Sequence, residues 1–105
     1  MSAVNLTNEQ FQKLLQEQKP VLLDFWAPWC SYCRRIESAY ERIAQKYGER
    51  VVVAKVNIDE EQQLAAAQGI EVIPTLVLYK NGKAVDFLVA PESQAAIGEF
   101  IERNL

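Results

Sequence analysis

Hydrophobic positions alternate between two spacings along this chain, one typical of strands and the other of helices. Near-continuous apolar runs occupy residues 21–26 (VLLDFW), 51–56 (VVVAKV) and 75–80 (TLVLYK). Runs of this length and composition favour strands that are buried on both faces. Between them the apolar residues recur every three or four positions, which indicates amphipathic helices. The alternation predicts an α/β fold with helices on both faces of a central sheet.

Capping residues mark the limits of the predicted helices. Thr7, with Gln10 three positions later, forms a capping-box pattern that opens a helix ending near Gln18. A longer helix is predicted from Cys33 to about Tyr47. Two further helices are predicted, a short alanine-rich one around residues 64–67 and one that Ser93 caps, with a core-facing stripe of Ile97, Phe100, Ile101 and Leu105.

The Asn81-Gly82 pair is the strongest hairpin signal in the chain, because this pair favours the tight turns that join antiparallel strands. It separates residues 75–80 from a further strand at residues 83–89. A short extended segment at Ala3–Leu6 precedes the first helix. The predicted order is therefore βαβαβαββα, a central mixed sheet with parallel strands first and an antiparallel hairpin last.

The composition restricts the class of protein and its partners. The chain has 105 residues, 50% of them hydrophobic and 24% charged, with a formal net charge of -3. These values predict one domain over residues 1–105. No apolar run approaches the roughly 20 residues that span a bilayer, and the N-terminus lacks the features of a signal peptide. We therefore expect a cytoplasmic protein. Its basic residues are scattered, so we expect neither a membrane nor a nucleic acid as a partner. We also expect a monomer.

Cysteine is the side chain most suited to chemistry here. There is no histidine, which excludes the usual catalytic triads and histidine metal sites, and both of the 2 cysteines lie in the tetrapeptide CSYC, residues 30–33. A strand precedes this tetrapeptide and a helix follows it, so Cys30 lies at a helix N-terminus, where a thiolate is stabilised. Cys30 is therefore the expected nucleophile, and Cys33, one turn later, is positioned to resolve a mixed disulfide.

A metal site is the alternative use of a CxxC pair. Zinc and iron-sulfur sites require four ligands, and this chain has neither a histidine nor a third cysteine to complete the set. Only a metal-bridged dimer satisfies that requirement. We therefore expect no metal and no cofactor.

Asp24 is the one charged residue in the first long apolar run, residues 21–26. An ionised carboxylate inside a buried strand costs several kcal/mol unless it is paired. We therefore expect a raised pKa for Asp24. Either a general base or a buried, hydrogen-bonded structural group fits this position.

Four linked motifs resemble the thioredoxin family over the whole chain: DFWAPWCSYC at 24–33, AKVNID at 54–59, GIEVIPT at 69–75 and YKNGK at 79–83. The resemblance implies the thioredoxin fold, with Cys30 attacking and Cys33 resolving. It also implies that Trp29 is a flat apolar neighbour of the site. Pro74 matches the family's cis-proline, so that the Ile73-Pro74 bond faces the cysteines and the Ile73 backbone pairs with an extended substrate. Asp24, with a lysine at the position of Lys55, then moves the proton of Cys33.

Three residues depart from the family pattern near the site. Ser31-Tyr32 replaces the usual Gly-Pro pair, and Ala90 replaces a glycine beside the docking groove, where its methyl group narrows the approach of a backbone. The Tyr32 N–H and the Ser31 hydroxyl are expected to favour the Cys30 thiolate. We therefore predict a reduction potential above the ~ -270 mV of thioredoxin, toward the glutaredoxin range of about -200 to -230 mV. A further departure, Ser38, occupies the place of a helix-kinking proline.

The function that these observations favour is a thiol-disulfide oxidoreductase that reduces protein disulfides and receives electrons from a thioredoxin reductase-like flavoenzyme. A glutathione-linked or more oxidising exchange protein is the alternative that Tyr32 suggests. A third hypothesis is a binding module that grips a partner through the apolar surface around Trp29, Ile73 and Ala90 without turnover.

Overall fold

The computed structural model describes residues 2–105 and has a mixed sheet of five strands at its centre. The strands are β1 (Val4–Asn5), β2 (Val21–Trp26), β3 (Val52–Asn57), β4 (Thr75–Lys80) and β5 (Lys83–Val89). In spatial order the sheet is β1-β3-β2-β4-β5. Strand β3 pairs in parallel with β1 and with β2, whereas β4 pairs antiparallel with β2 and with β5. The predicted α/β class, mixed sheet and closing hairpin are confirmed.

Helices cover both faces of this sheet. They are α1 (Asn8–Leu15), α2 (Ser31–Arg35), α3 (Glu37–Tyr47), α4 (Gln62–Ala67) and α5 (Gln94–Glu102). Alternate residues of β2 point to opposite faces, so Leu22 packs in a core shared with α3 and α5, whereas Leu23 packs in a core shared with α1 and α4. Among residues 2–105, no helix combines the length and apolar character required to cross a membrane.

The helix predicted from Cys33 to Tyr47 is divided into α2 and α3 at Ile36, which has φ -90° and ψ 0°. Cys33 belongs to a small apolar cluster beside the end of β2, whereas Ile36 and Tyr40 belong to the main core over the sheet. The bend lets each side pack in its own cluster. It forms without the proline that Ser38 replaces.

Two further predictions, each at the C-terminal end of a helix, were wrong. Helix α1 ends at Leu15 rather than near Gln18, because its last turn tightens into Gln16 N–H to Lys13 and Glu17 N–H to Leu14 bonds. Leu105 was predicted to face the core but is 45% exposed. Helix α5 ends at Glu102, so the helical spacing that placed Leu105 in the stripe no longer applies there.

The Asn81-Gly82 turn gives a test of the hairpin. Gly82 has φ +79°, and a Cβ built on it lies 3.4 Å from the Leu15 carbonyl oxygen. Gly98, inside α5, leaves the same 3.4 Å to the Tyr47 hydroxyl without a positive φ. We expect Gly82→Ala to lower the free energy of unfolding by about 1–2 kcal/mol and Gly98→Ala to raise it by up to about 1 kcal/mol. Denaturant unfolding measures both, and equal changes would contradict the assigned turn.

Candidate active site

Cys30 lies directly between the sheet and α2, and a disulfide joins it to Cys33. It is the N-cap of α2, with extended backbone angles, and its Sγ accepts a hydrogen bond from the Cys33 N–H at 3.2 Å. The N–H of Cys30 donates to the Ala27 carbonyl oxygen at 3.1 Å. The geometry therefore directs a backbone N–H at the sulfur that precedes the helix, an arrangement that favours negative charge on it.

The loop before β4 lies against this disulfide. The Ile73-Pro74 peptide bond is cis, in agreement with the resemblance. The Ile73 carbonyl oxygen lies 4.0 Å from Cys30 Sγ, and the Pro74 carbonyl oxygen accepts a hydrogen bond from the Ala90 N–H at 2.9 Å. Residues distant in sequence thus meet at one edge of the site.

Trp29 is 65% exposed beside the cysteines. Its indole N–H donates to an Asp59 carboxylate oxygen at 3.0 Å, which fixes the orientation of the ring. Sequence reasoning did not single out Asp59. Its only signal was its place at the end of the AKVNID segment, residues 54–59.

Tyr32 connects α2 to the loop that follows β5. Its hydroxyl donates to the carbonyl oxygen of Pro91 at 3.0 Å, with the carbonyl oxygen of Ala90 at 3.4 Å. Ala90 has φ +46°, a conformation that a residue with a Cβ rarely adopts. The two departures Tyr32 and Ala90 are therefore in contact.

The sulfur of Cys30 receives a different N–H from the one the sequence predicted. In this disulfide form the donor is Cys33, whereas, within residues 2–105, neither the Tyr32 N–H nor the Ser31 hydroxyl bonds to that sulfur. Ser31 is exposed at the start of α2. The thiolate is formed only on reduction, so the effect of Tyr32 on the potential stays a prediction.

Two arginines follow the second cysteine, and both are exposed. The Arg34 guanidinium donates to the Pro28 carbonyl oxygen at 2.7 Å. The Arg35 guanidinium lies 5.6 Å from the centre of the Tyr32 ring, within the range of a cation–π contact. One arginine therefore contacts a residue before the tetrapeptide, and the other contacts a residue within it.

Asp24 is 3% exposed on the same face of β2 as Leu22. Its register partner on β3 is Lys55. The Lys55 ammonium nevertheless forms its ion pair with Glu37 of α3, at 3.9 Å. In the part of the chain that the structure describes, one oxygen of Asp24, Oδ1, has no hydrogen-bond partner. Burial raises the pKa of Asp24 to about 7; Lys55 acts against this shift and Glu37 adds to it. The raised pKa of Asp24 agrees with the expectation from the apolar composition of the strand. The alternative, a hydrogen-bonded structural group, does not agree with the unpartnered Oδ1.

A small cavity connects this carboxyl group to Cys33. Its volume is about 10 Å³, which is room for about one water molecule. Its lining residues are Asp24, Trp26, Cys33, Glu37, Tyr40 and Lys55. The structure thus brings together Cys33, Asp24 and Lys55, as the resemblance implied, and adds Glu37 and Tyr40.

Tyr40 is fully buried, and its hydroxyl donates to the carbonyl oxygens of Ala54, at 2.6 Å, and Leu22, at 3.2 Å. Burial raises the pKa of Tyr40 well above its usual value. The hydroxyl therefore stays protonated at neutral pH and acts as a structural donor. Burial brings the pKa of Asp24, by contrast, to about 7, near neutrality.

Comparison with known proteins agrees with this geometry. The family model described as Thioredoxin matches residues 2–103. Thioredoxin 1 of a Nostoc species is 40% identical over 105 residues, which are 99% of this chain and 98% of the relative. Thioredoxin of Alicyclobacillus acidocaldarius is 42% identical over 88 residues, 84% of each chain.

Solved structures show the same likeness. The thioredoxin of Malassezia sympodialis superposes with a TM-score of 0.88 at 33% identity, covering 98% of this chain and 90% of that one. The thioredoxin of Plasmodium falciparum gives a TM-score of 0.87 at 31% identity, covering 98% of this chain and 99% of that one. The similarity therefore extends over nearly the full length of these proteins.

The burial of Asp24 predicts a pH-dependent stability. Because its pKa lies near 7 in the folded protein instead of 3.8, the folded protein retains a proton that the unfolded chain releases above pH 4. The free energy of unfolding therefore falls as pH rises through the folded pKa, and Asp24→Asn removes that fall. We expect the stability of this variant relative to the parent to rise between pH 4 and pH 8 by on the order of 4 kcal/mol. Denaturant unfolding of the disulfide forms measures the difference, and parallel pH curves would contradict it.

Proposed function

Because the chain belongs to the thioredoxin family and is a protein-disulfide oxidoreductase, we propose that the Cys30–Cys33 pair carries the exchange. The observation that carries the proposal is the position of this disulfide at the start of α2, against the carbonyl group of Ile73. Cys30 is the N-cap of α2, whereas Cys33 lies within the helix and is 4% exposed against 9% for Cys30. This difference in position supports different roles for the two sulfurs.

Reduction of a substrate begins with the Cys30 thiolate. Its sulfur attacks one sulfur of the substrate disulfide, the substrate S–S bond breaks, and a mixed disulfide forms. The departing substrate sulfur leaves as a thiolate and takes a proton from solvent. The backbone N–H of Cys33, 3.2 Å from Cys30 Sγ in the disulfide form, supports the assignment of Cys30 as the sulfur that bears the charge.

The second step needs a base, which we assign to Asp24. The Cys33 thiol gives its proton to the Asp24 carboxylate, and the new thiolate attacks Cys30, so the mixed disulfide breaks and the reduced substrate leaves. As the Cys30–Cys33 disulfide closes, the two cysteines lose two electrons, and the substrate disulfide gains them. The shared cavity of Asp24, Cys33 and Lys55 and a pKa near 7 support this role.

The substrate is held as an extended segment beside the cis-proline. Within residues 2–105, the N–H and the carbonyl group of Ile73 have no backbone hydrogen-bond partner, so they are free to pair with a substrate strand. Trp29 lies on the exposed side. Ser31, Tyr32, Pro74 and Ala90 form the remaining rim, and the contact between Tyr32 and Ala90 narrows it.

We also propose the setting in which the exchange runs. Residues 1–105 form one domain that acts as a monomer in the cytoplasm, where the pair is kept reduced. The electrons come from a thioredoxin reductase-like flavoenzyme. Bacterial thioredoxins of nearly equal length support this setting over the glutathione-linked alternative.

Substitution of each cysteine separates their roles. Cys30→Ser is expected to abolish reduction of a protein disulfide, because no sulfur remains to attack the substrate. Cys33→Ser is expected to lose turnover as well but to accumulate a stable mixed disulfide, detected by mass spectrometry of the intact complex. Persistent turnover in Cys30→Ser would contradict the assignment of Cys30 as the attacking sulfur. Function retained when both cysteines become serine would instead support a binding module.

The residue at position 32 gives a test of the potential. Tyr32→Pro removes the N–H and restores the family's residue, whereas Tyr32→Phe keeps the N–H and removes only the hydroxyl. If the N–H stabilises the Cys30 thiolate, Tyr32→Pro lowers the reduction potential by about 30 mV and Tyr32→Phe does not. Equilibration with glutathione buffers, followed by tryptophan fluorescence, measures both. A parent value near ~ -270 mV, unchanged in Tyr32→Pro, would exclude the oxidising alternative.

A further inference from the structure

The Lys55 ammonium group has two carboxyl groups within its surroundings, and the structure pairs it with the outer one. Asp24 is its register neighbour on β2, but the ion pair is with Glu37 Oε1 at 3.9 Å. The side chains of Lys55 and Glu37 are 13% and 59% exposed, whereas Asp24 is 3% exposed. The ammonium group therefore leans toward the solvent end of the cavity.

This arrangement leaves one oxygen of the inner carboxyl group without a partner. Among residues 2–105, Asp24 Oδ1 has no hydrogen-bond partner, although Asp24 lines the same cavity as Lys55 and Cys33. The Trp26 ring, at the end of β2, has its centre 5.1 Å from the Lys55 ammonium and provides a second contact for the cation, outside Asp24. A buried carboxyl next to a lysine is ordinarily paired with it.

We propose that Glu37 is a positioning residue: it holds the Lys55 ammonium at the outer end of the cavity and so keeps Asp24 unpaired. Without Glu37, the flexible lysine side chain reaches inward and pairs with the buried carboxylate. Glu37 thereby sets the pH at which Asp24 titrates. The proposal rests on the proposed function only for its consequence, which is the supply of a base to Cys33.

The groups that face Asp24 from each neighbouring element are few, so the test is well defined. Strand β3 contributes Lys55, α2 contributes Cys33, and α3 contributes Glu37 and Tyr40. On β4 the register neighbour is Leu76, which does not ionise. The raised pKa of Tyr40 keeps it neutral through this pH range. Of the residues that the structure describes, Lys55 and Glu37 are therefore the two charges available to move the titration of Asp24; Lys55 lowers its pKa and Glu37 raises it.

The test is the titration of the Asp24 carboxyl, followed by NMR of carbon-13-labelled aspartate in the disulfide form. In Glu37→Gln the midpoint is expected to fall by about one pH unit, because Lys55 then pairs with Asp24. The matched control is Glu99→Gln, which removes an exposed carboxylate from α5. Its midpoint is expected to stay at the parent value. An unchanged or raised midpoint in Glu37→Gln would overturn the proposal.

A second background separates positioning from the direct effect of the Glu37 charge. In Lys55→Met no ammonium remains to be released, so a further Glu37→Gln change is expected to move the Asp24 midpoint much less than it does in the parent. A double-mutant cycle gives this difference. An equal shift in both backgrounds would mean that Glu37 acts by its charge alone, and the positioning role would be wrong.

The rate of the reaction tests the consequence independently. In single turnovers of the reduced protein with a cystine-containing peptide, the pH midpoint of disulfide closure is expected to follow the NMR midpoint in Glu37→Gln. If the NMR midpoint moves and the rate profile does not, Glu37 positions Lys55 as proposed, but Asp24 is not the base. Asp24→Asn checks that second conclusion, since its rate profile would then match the parent.

Discussion

The burial of β2 at the centre of the sheet is the constraint on which the other features depend. The strand is hydrogen-bonded to β3 on one side and to β4 on the other, and helices pack over both of its faces. A shift of one residue would exchange the two sets of side chains between these cores, so the register is strongly specified. It places Asp24 on the face of α3 and sends the chain out of the sheet toward Cys30.

The same strand joins stability to chemistry. Packing favours an apolar residue at Asp24, and its carboxyl group is stable there chiefly in the protonated form, because the surrounding core solvates charge poorly. That penalty is also what brings its pKa close to neutrality. A group that is costly for the fold therefore has a pKa near neutrality beside Cys33, in line with the clustering of perturbed groups at active sites.

The remainder of the site is assembled from segments that are far apart in the chain. Residues 30–33, 73–74 and 90–91 meet because the C-terminal end of β2 pairs with the start of β4, which in turn pairs with the end of β5. Tyr32 and Ala90 read as two separate departures in the sequence. The Tyr32 hydroxyl joins them through the Ala90 and Pro91 carbonyl oxygens, so the altered tetrapeptide and the altered groove are one feature.

Local patterns determined most of the fold: the apolar runs predicted β2 and β4 at their observed bounds, and Asn81-Gly82 predicted the hairpin. The CSYC tetrapeptide and Asp24 likewise indicated, from the sequence alone, where the candidate site lies. These features depend on neighbours in the chain or on burial, which periodicity reveals. Only the tertiary structure decided three other features. They are the bend at Ile36, the ion pair of Lys55 with Glu37 and the hydrogen bond from Trp29 to Asp59. Each depends on which side chains meet across separate elements, and spacing along one element carries no information about such contacts.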